Sequence, residues 1–359
     1  MDKILFVFEG VYNGGTEVAT INLIKKLNKK NYDCFYTFFD KVNSDKDIIA
    51  KFNNTSKEVV LEKNKKYDYD YIIFCTSISI CDNVENIFNN VKRKKIFFWF
   101  HYFWEDQINF LNEYGNKIDK IIAVSNSCKN KLEKEYGITK VVQVITNIFD
   151  IGQIKSNSLE NIEEIQLNNI KVDENNKENK QQKNKEEKKK LNLLSVGRIA
   201  PIKGYDKLEE VSNILKNNDI EYDWYILGKS NPYEKEFNEK INKLINENKN
   251  IHILGHKDNP YKYMKNVDYV MVISKNETWS LVITEAKILG IPCISTNFDA
   301  VYEQIENNVN GYIFDINNLE TFDKVCKDIK LDKYNVKYNL KKFKYDNEKQ
   351  LNKWIKLLK

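Results

Sequence analysis

Arginine is nearly absent from this chain of 359 residues. Of its 57 basic residues, only Arg93 and Arg198 are arginines, so an arginine at the end of a strand is an informative position. The acidic residues number 52, which leaves a net charge of +5. A surplus this small argues against a dedicated nucleic-acid-binding protein, which needs a strongly basic surface.

Histidine, cysteine pairs and long apolar runs are scarce as well. The chain has three His and six Cys, with no Cys-x-x-Cys pair and no cluster at zinc-site spacing. Scattered cysteines in apolar contexts indicate free buried thiols in a reducing compartment. No apolar run reaches the roughly 18 residues of a membrane-spanning helix, and the run at 4–8 is too short and too early for a signal peptide. We therefore expect a cytoplasmic protein.

Short apolar runs alternate with helix-length amphipathic segments on both sides of a charged stretch. Runs of about five residues between segments of ten or more indicate parallel sheets built from βαβ units. The predicted strands are 4–8, 34–38, 71–75, 96–100, 121–124, 141–145, 193–196, 224–227, 251–254, 269–273 and 291–295, and the predicted helices are 16–29, 129–136, 204–215, 234–245 and 281–289. The pattern predicts an α/β fold with two doubly wound, Rossmann-like domains and a ligand in the cleft between them.

The same alternation gives the domain boundaries. We expect a first Rossmann-like domain at 1–150, a charged low-complexity linker or insertion at 151–190, and a second Rossmann-like domain at 191–335. Within the linker, 156–190 has too little apolar content to offset the entropy of ordering it. The segment 336–359 ends in an amphipathic helix. Because the second sheet is complete before this segment, we expect the helix to pack on the first domain.

Two cations follow the first predicted strand of the second domain. Arg198, which follows Gly197, lies at the carboxyl end of the predicted strand, and Lys203 lies at the start of the next predicted helix. A guanidinium and an ammonium at a strand end and a helix start suit a diphosphate. The alternative is a surface arginine and a helix-capping lysine.

Two glutamates flank the start of a later helix. Glu277 precedes it and Glu285 lies on its second turn. The backbone N–H groups of Trp279, Ser280 and Leu281 are expected to cluster at the helix N-terminus, where they favour an anion. Carboxylates beside such a site suit a hydroxyl-rich ligand, because each can accept from two sugar hydroxyls. The alternative is a pair of ordinary helix glutamates, but Glu285 lies on an apolar helix and needs a partner there.

The first predicted strand ends in a glycine-containing turn, Gly14-Gly15-Thr16-Glu17. Glycines at this point leave the backbone N–H groups of the helix start open to a ligand. The turn lacks the lysine of a phosphate-binding P-loop. An ordinary strand-to-helix turn is the alternative.

Taken together, these motifs resemble the retaining GT-B glycosyltransferases of glycosyltransferase family 4. The resemblance covers nearly all of the chain except 156–190. It rests on Gly14-Gly15-Thr16-Glu17, Gly197-Arg198, Lys203-Gly204, Glu277 with seven residues before Glu285, Gly290-Ile291-Pro292, Glu303 and Asn310-Gly311. The family has the GT-B fold, in which two Rossmann-like domains face a cleft, the first on the acceptor side and the second binding the nucleotide sugar.

The resemblance also implies roles for individual residues. Arg198 and Lys203 would hold the diphosphate of the donor, Glu285 its ribose, and Glu277 the hydroxyls of its sugar. Gly15 would line the cleft near the diphosphate and the acceptor. One departure stands out, because 277–280 reads Glu-Thr-Trp-Ser where many members have Glu-Gly-Phe-Gly. Trp279 keeps an aromatic ring, but two glycines are lost, which leaves the identity of the donor sugar open.

Three further features have two readings each. His101 follows a predicted strand where the family often has a His near the donor sugar, but an aromatic-packed core residue is the alternative. The basic run 92–95, followed by aromatic residues, is either a surface for peripheral membrane contact or a solvated loop. Asp68 and Asp70 form an Asp-x-Asp motif, which we interpret as a charged strand entrance and not as a metal site.

The sequence therefore predicts a hexosyltransferase-type enzyme. It would move a sugar, with retention, from a nucleotide sugar that we expect to be UDP-linked to a glycan or lipid-linked acceptor, in surface polysaccharide or glycolipid synthesis. We expect no metal and no other cofactor, because the cations and the helix N-terminus can stabilise the leaving diphosphate. The alternatives are a sugar-nucleotide 2-epimerase of similar shape and a non-catalytic protein that binds nucleotide sugars.

Overall fold

A computed structural model describes residues 1–79, 81–138, 140, 142–162, 190–230, 234–331 and 333–359. Most of the predicted insertion, 163–189, lies outside the described residues. The chain forms two compact units. The first comprises Met1–Asp150 together with Asp346–Lys359, and the second comprises Ile151–Tyr345.

The first unit is built around a parallel sheet of seven strands. Besides these seven strands, the described residues of the unit form a separate pair. In chain order the nine strands are β1 (Lys3–Phe8), β2 (Asp33–Phe38), β3 (Lys57–Glu58), β4 (Tyr67–Asp68), β5 (Tyr71–Phe74), β6 (Val91–Lys92), β7 (Lys95–Phe100), β8 (Lys120–Ala123) and β9 (Val142–Val144). Its helices before residue 150 are α1 (Gly15–Asn28), α2 (Lys46–Asn53), α3 (Cys81–Asn90), α4 (Glu105–Tyr114) and α5 (Asn126–Lys134). The strand order is β3-β2-β1-β5-β7-β8-β9, and β4 pairs with β6 separately. Residues 4–8 of β1 are all buried, which is typical of a parallel strand covered on both faces.

The second unit contains a parallel sheet of six strands. Its strands are β10 (Leu191–Val196), β11 (Tyr222–Leu227), β12 (Ile251–Gly255), β13 (Tyr269–Val272), β14 (Cys293–Thr296) and β15 (Gly311–Phe314). Its helices are α6 (Ile151–Asn157), α7 (Leu208–Asn217), α8 (Lys235–Glu247), α9 (Tyr261–Met264), α10 (Leu281–Ile288), α11 (Val301–Gln304), α12 (Glu320–Lys330) and α13 (Val336–Leu340). The strand order is β12-β11-β10-β13-β14-β15.

Each sheet has one point at which the strand order reverses direction. In the first sheet the chain builds outward from β1 through β2 to one edge, and from β5 through β7 to the other. In the second sheet the same reversal lies between β10 and β13. Ligands of doubly wound proteins bind outside the carboxyl ends of the strands at such a switch point. The loops after β1, β5, β10 and β13 are therefore where a site is expected.

The last helix, α14 (Asn347–Leu357), belongs to the first unit. Its Trp354 packs edge to face on Trp99 of β7, with ring centroids 5.0 Å apart. The side-chain amide of Asn347 accepts a hydrogen bond from the backbone N–H of Phe149 (3.0 Å) and donates one to the carbonyl of the same residue (2.6 Å). These contacts join the end of the chain to the first sheet. Residues 336–345, which we had grouped with this helix, belong to the second unit.

Two predicted elements differ from the structure. The first residues of the predicted linker, 151–157, form α6, because Ile154 is buried against the second unit, where α6 contacts α9 and α10. The helix predicted at 204–215 begins at Leu208. Gly204 stops an earlier start, since it has a φ of +78° and its Cα lies so near the carbonyl of Ile273 that a Cβ there would be 1.7 Å from that oxygen.

Candidate active site

Arg198 lies at the carboxyl end of β10, beside the switch point of the second sheet. Gly197, with a φ of +144°, turns the chain directly after the strand. The Arg198 side chain is exposed, and none of the described residues gives it a hydrogen bond or an ion pair. A guanidinium held at a strand end without an internal partner is available to an anionic ligand.

Lys203 and Glu277 come together across the same switch point. Lys203 ends a short 3₁₀ turn, Pro201–Lys203, and its Nζ lies 2.6 Å from Oε1 of Glu277 in the loop after β13. The same oxygen accepts a hydrogen bond of 2.8 Å from the hydroxyl of Ser274. Both charged side chains are mostly buried, with 29% and 17% of their surfaces exposed. The two residues that the resemblance assigned to different parts of the donor therefore form one ion pair.

The N-terminus of α10 differs from the expected cluster of three open amides. The backbone N–H of Ser280 donates to the side-chain oxygen of Gln304 (2.9 Å), and the Gln304 amide donates back to the carbonyl of Ser280 (2.7 Å). The Gln304 amide also donates to the hydroxyl of Thr284 (3.1 Å). Ser280 is therefore already paired, and the open N–H groups at this end are those of the first helical turn, beginning at Leu281.

Gln304 is held in place from its other side by a buried lysine. Nζ of Lys287 donates to the backbone carbonyl of Gln304 and lies 4.4 Å from the centre of the Phe343 ring. Burial lowers the pKa of this lysine. Gln304 thus joins α10, α11 and the loop that carries Trp279.

Replacing Gln304 is expected to loosen this loop. In Gln304→Ala, the buried N–H and carbonyl of Ser280 lose their side-chain partner, which should lower the free energy of unfolding by about 2 kcal/mol and raise the KM for the donor. Chemical unfolding and donor kinetics measure both effects. Gln153→Ala, a change of an exposed glutamine on α6, is the control. An unchanged donor KM in Gln304→Ala would show that the loop needs no such support.

Glu285 has the partner that its position required. It is 7% exposed on α10, and its Oε1 accepts a hydrogen bond of 3.0 Å from the hydroxyl of Tyr261 at the start of α9. Burial raises the pKa of this carboxyl to about 7, and the hydrogen bond from Tyr261 only partly opposes the shift. Near neutral pH, the carboxyl group can therefore either carry a proton or, when ionised, accept hydrogen bonds from two hydroxyl groups of a ligand.

This buried carboxyl should make stability depend on pH. The unfolded chain ionises Glu285 near its ordinary value of 4.5, whereas the folded chain keeps the proton until about 7. The folded state therefore binds more protons in this window, so stability falls as pH rises through it. Relative to Glu285→Gln, the ligand-free wild type should lose about 3 kcal/mol between about pH 4.5 and pH 8. Urea unfolding of both proteins across this range tests the prediction, and parallel curves would contradict it.

In the first unit, Gly15 begins α1 at the carboxyl end of β1 and is exposed. No side chain caps the helix at Gly14. The buried carboxylate of Glu17 turns back instead and accepts a hydrogen bond of 3.0 Å from the backbone N–H of Tyr12. The first turn of α1 thus keeps its N–H groups open, as the glycine turn predicted.

His101 follows β7 and is buried. Its ring packs on that of Trp99, with centroids 4.5 Å apart. Burial lowers the pKa of His101 to about 3, so the imidazole is neutral at physiological pH. These observations favour the aromatic-packed reading over proton transfer by this residue.

Two residues of the basic run 92–95 are engaged in contacts within the first unit. Arg93 donates to the carbonyls of Phe88 and Val91, and Lys94 pairs with Asp70 at 2.7 Å. The aromatic residues that follow, 97–100, are all buried in β7. No helix in the described ranges is both long and apolar enough to cross a bilayer.

The Asp-x-Asp motif lies next to this run. Asp68 is 3.7 Å from Nζ of Lys92. The hydrogen bond from Lys94 is the largest cause that lowers the pKa of Asp70, and the backbone N–H of Lys3 also donates to this carboxylate. The motif lies at the amino ends of β5 and β7, on the edge of the sheet opposite to the switch-point loops.

Residues 176–349 match the family model described as glycosyl transferases group 1. The chain is a glycosyltransferase. The match includes Arg198, Lys203, Glu277 and Glu285, so the cations and carboxylates at the second switch point lie within the matched domain. The predicted enzyme class is confirmed.

Relatives of this glycosyltransferase include a capsular polysaccharide biosynthesis enzyme and an enzyme that acts on poly(ribitol-phosphate). The capsular polysaccharide biosynthesis glycosyltransferase CapH of Staphylococcus aureus is 24% identical over 348 residues, which are 88% of this chain and 85% of that protein. The poly(ribitol-phosphate) alpha-N-acetylglucosaminyltransferase of Staphylococcus aureus strain COL is 28% identical over 174 residues, or 45% of this chain and 34% of that protein.

The fold of this glycosyltransferase is similar to that of Anabaena Alr3699/HepE in its crystal structure with UDP and glucose. The TM-score is 0.78 at 16% identity, and the match covers 100% of this chain and 99% of that chain. The predicted GT-B fold is confirmed.

Four residues of the site were not predicted from the sequence: Ser274, Tyr261, Lys287 and Gln304. Ser274 and Tyr261 carry no motif of their own. Gln304 directly follows Glu303, which belongs to a motif of the family resemblance, but no pattern in 298–305 distinguishes it from the other polar residues there.

Proposed function

We propose that the protein transfers a sugar from a UDP-sugar to a saccharide-containing acceptor in the synthesis of a surface polysaccharide. The observation that carries this proposal is the set of groups at the switch point of the second sheet, where Arg198, the Lys203–Glu277 pair and the N-terminus of α10 follow β10 and β13. The relative CapH, described as a capsular polysaccharide enzyme, supports the biological setting. The structural neighbour that contains UDP and glucose supports the donor class.

The proposed roles of the residues follow from where charge develops in the transition state of sugar transfer. Cleavage of the bond between the sugar and the diphosphate leaves negative charge on the phosphate oxygens and positive charge on the sugar ring. Arg198, Lys203 and the open amides of α10 would stabilise the leaving diphosphate, and Glu277 would lie beside the sugar hydroxyls. Tyr261 would orient Glu285 for the ribose. These fixed cations supply the stabilisation that a metal ion gives in other enzymes, so we propose that no metal is required.

We further propose that the configuration at the anomeric carbon is retained, as in glycosyltransferase family 4. None of the described residues at this edge of the second sheet is an obvious covalent nucleophile. The departing phosphate oxygen can instead accept the proton of the acceptor hydroxyl while the new bond forms on the same face of the sugar. The alpha linkage in the name of the poly(ribitol-phosphate) relative is consistent with this outcome.

A screen of nucleotide sugars tests the function. UDP release is measured for each donor with and without saccharide acceptors, in the presence and absence of EDTA. We expect transfer from a UDP-sugar that EDTA leaves unchanged, with an alpha-linked product by NMR when the donor is alpha. An epimerised nucleotide sugar formed without acceptor would establish the 2-epimerase instead. Calorimetry that detects no binding of UDP or of any other nucleoside diphosphate would refute the donor assignment.

A further inference from the structure

An exposed tryptophan packs on a half-buried tyrosine at the carboxyl edge of the first sheet. Tyr102 and Trp104 lie between β7 and α4, with ring centroids 4.5 Å apart and planes at 54°. Trp104 is 54% exposed. It lies outside the hydrophobic core, so packing within the unit does not explain a tryptophan at this position.

The buried residue Gln107 supports the pair through hydrogen bonds. The side-chain amide of Gln107, which is fully buried, donates to the hydroxyl of Tyr102 (3.2 Å) and to that of Ser77 (2.8 Å). Ser77, in the loop after β5, donates in turn to the carboxylate of Asp106. The backbone N–H of Gln107 also donates to the carbonyl of Trp104 (3.1 Å). Loops from two neighbouring strands thus hold the Tyr102 ring, on which Trp104 packs, and the backbone at Trp104.

The pair also borders the switch point between β1 and β5. Burial raises the pKa of Tyr102, and the negative charges of Asp106 and Glu17 contribute to the same shift. Glu17 lies in the first turn of α1, so Tyr102 is near the open helix start that follows β1. This edge of a doubly wound sheet is where ligands bind.

The charged groups around the two rings favour a carbohydrate as the ligand. Two exposed carboxylates, Glu105 and Asp106, follow Trp104 directly. A flat aromatic face contacts the C–H face of a sugar ring, and adjacent carboxylates accept hydrogen bonds from its hydroxyls. The same negative charge disfavours an anionic lipid surface or a phosphate group.

We propose that Tyr102 and Trp104 form a platform that binds one saccharide ring of the acceptor, with Glu105 and Asp106 accepting from its hydroxyls. This platform rests on the proposed function, because it assigns a neutral sugar ring to the acceptor of that reaction. Gln107 is a positioning residue, since it acts through Tyr102.

Transfer kinetics test the platform. In Trp104→Ala, the KM for the acceptor should rise about tenfold, while acceptor-independent hydrolysis of the donor and the affinity for UDP stay unchanged. Trp104→Phe should restore most of the acceptor affinity. Tyr302→Ala, which removes a 65% exposed aromatic from the second unit, is the control. Equal acceptor KM values for wild type and Trp104→Ala, with transfer intact, would overturn the platform and leave the proposed function standing.

If none of the acceptors tested is a substrate, binding of saccharides to the platform can be measured directly. Protein labelled with fluorotryptophan is titrated with oligomers of glucose and of N-acetylglucosamine, and the Trp104 resonance is assigned by its loss in Trp104→Phe. A saturable shift of this resonance supports the platform. No shift with any oligomer, or a shift only with phosphatidylglycerol vesicles, would overturn it. Failure of the proposed function would appear separately, as absent UDP binding in the unlabelled protein.

Discussion

Arg198→Ala should abolish most of the transferase activity while leaving the fold intact. The guanidinium is exposed, and no described residue pairs with it, so its removal breaks no internal contact. At the leaving diphosphate, however, one lost charged donor costs about 10²–10³ in kcat, or roughly 3–4 kcal/mol of transition-state stabilisation. UDP release in the presence of donor and acceptor measures the loss, and thermal unfolding should show an unchanged Tm.

Two further variants sharpen this expectation. Arg198→Lys keeps the charge but loses the planar fork, so it should recover only part of the activity. Lys216→Ala removes an exposed cation at the carboxyl end of α7 and serves as the control for general charge effects on a polyanionic donor. If Arg198→Ala retains activity within twofold of wild type, the arginine does not contact the diphosphate.

Glu277→Gln should separate donor binding from catalysis. The change keeps the shape of the side chain and an acceptor for Ser274, but it removes the negative charge that pairs with Lys203 at 2.6 Å. Free Lys203 can then turn fully to the diphosphate, and the repulsion between the carboxylate and the phosphates is gone. We expect UDP to bind as tightly as in wild type or more tightly, whereas kcat falls about 100-fold because the sugar loses its charged acceptor.

Lys203→Met should have the opposite effect on UDP binding. It leaves Glu277 without its cation beside the phosphates, so UDP binding weakens and kcat falls as well. Calorimetry with UDP and steady-state kinetics distinguish the two variants. The pair Lys207–Glu210, 2.8 Å apart on the surface of the same unit, is the matched control, and Glu210→Gln should change neither quantity. Weaker UDP binding in Glu277→Gln would show that the pair acts as a unit in holding the diphosphate.

Much of the fold could be predicted from local patterns. Parallel strands that are buried on both faces appear as continuous apolar runs, so those of β10 and β13 were recognised within two residues of their observed bounds. Short or polar elements could not be recognised in this way. The strand β3 has only Lys57 and Glu58, which carry no apolar signal. The helix α6 directly precedes the polar stretch 156–190, so composition alone predicts 151–157 as part of the linker. The start of α7 depended on the close approach of Gly204 to Ile273, which no local pattern records.

The candidate site was predicted residue by residue, but its internal pairing was not. The sequence placed Lys203 at the start of one predicted helix and Glu277 before another, yet the ion pair between them joins positions 74 residues apart. It counted the N–H of Ser280 as open because helix geometry leaves the first amides unpaired, whereas Gln304 reaches it from another helix. For His101 the sequence gave two readings. Only burial, which a single sequence does not reveal, distinguishes a packed imidazole from a titrating one.

The return of α14 to the first unit has a consequence for biosynthesis. As the chain leaves the ribosome, the seven strands of the first sheet emerge before any residue of the second unit. The indole of Trp354 and the amide of Asn347, which complete the packing beside β7 and at Phe149, emerge only after the whole second unit. The first unit is therefore synthesised first and completed last. Until then, its nascent sheet lacks one of its covering helices, and this is the interval in which a chaperone would be needed to shield it.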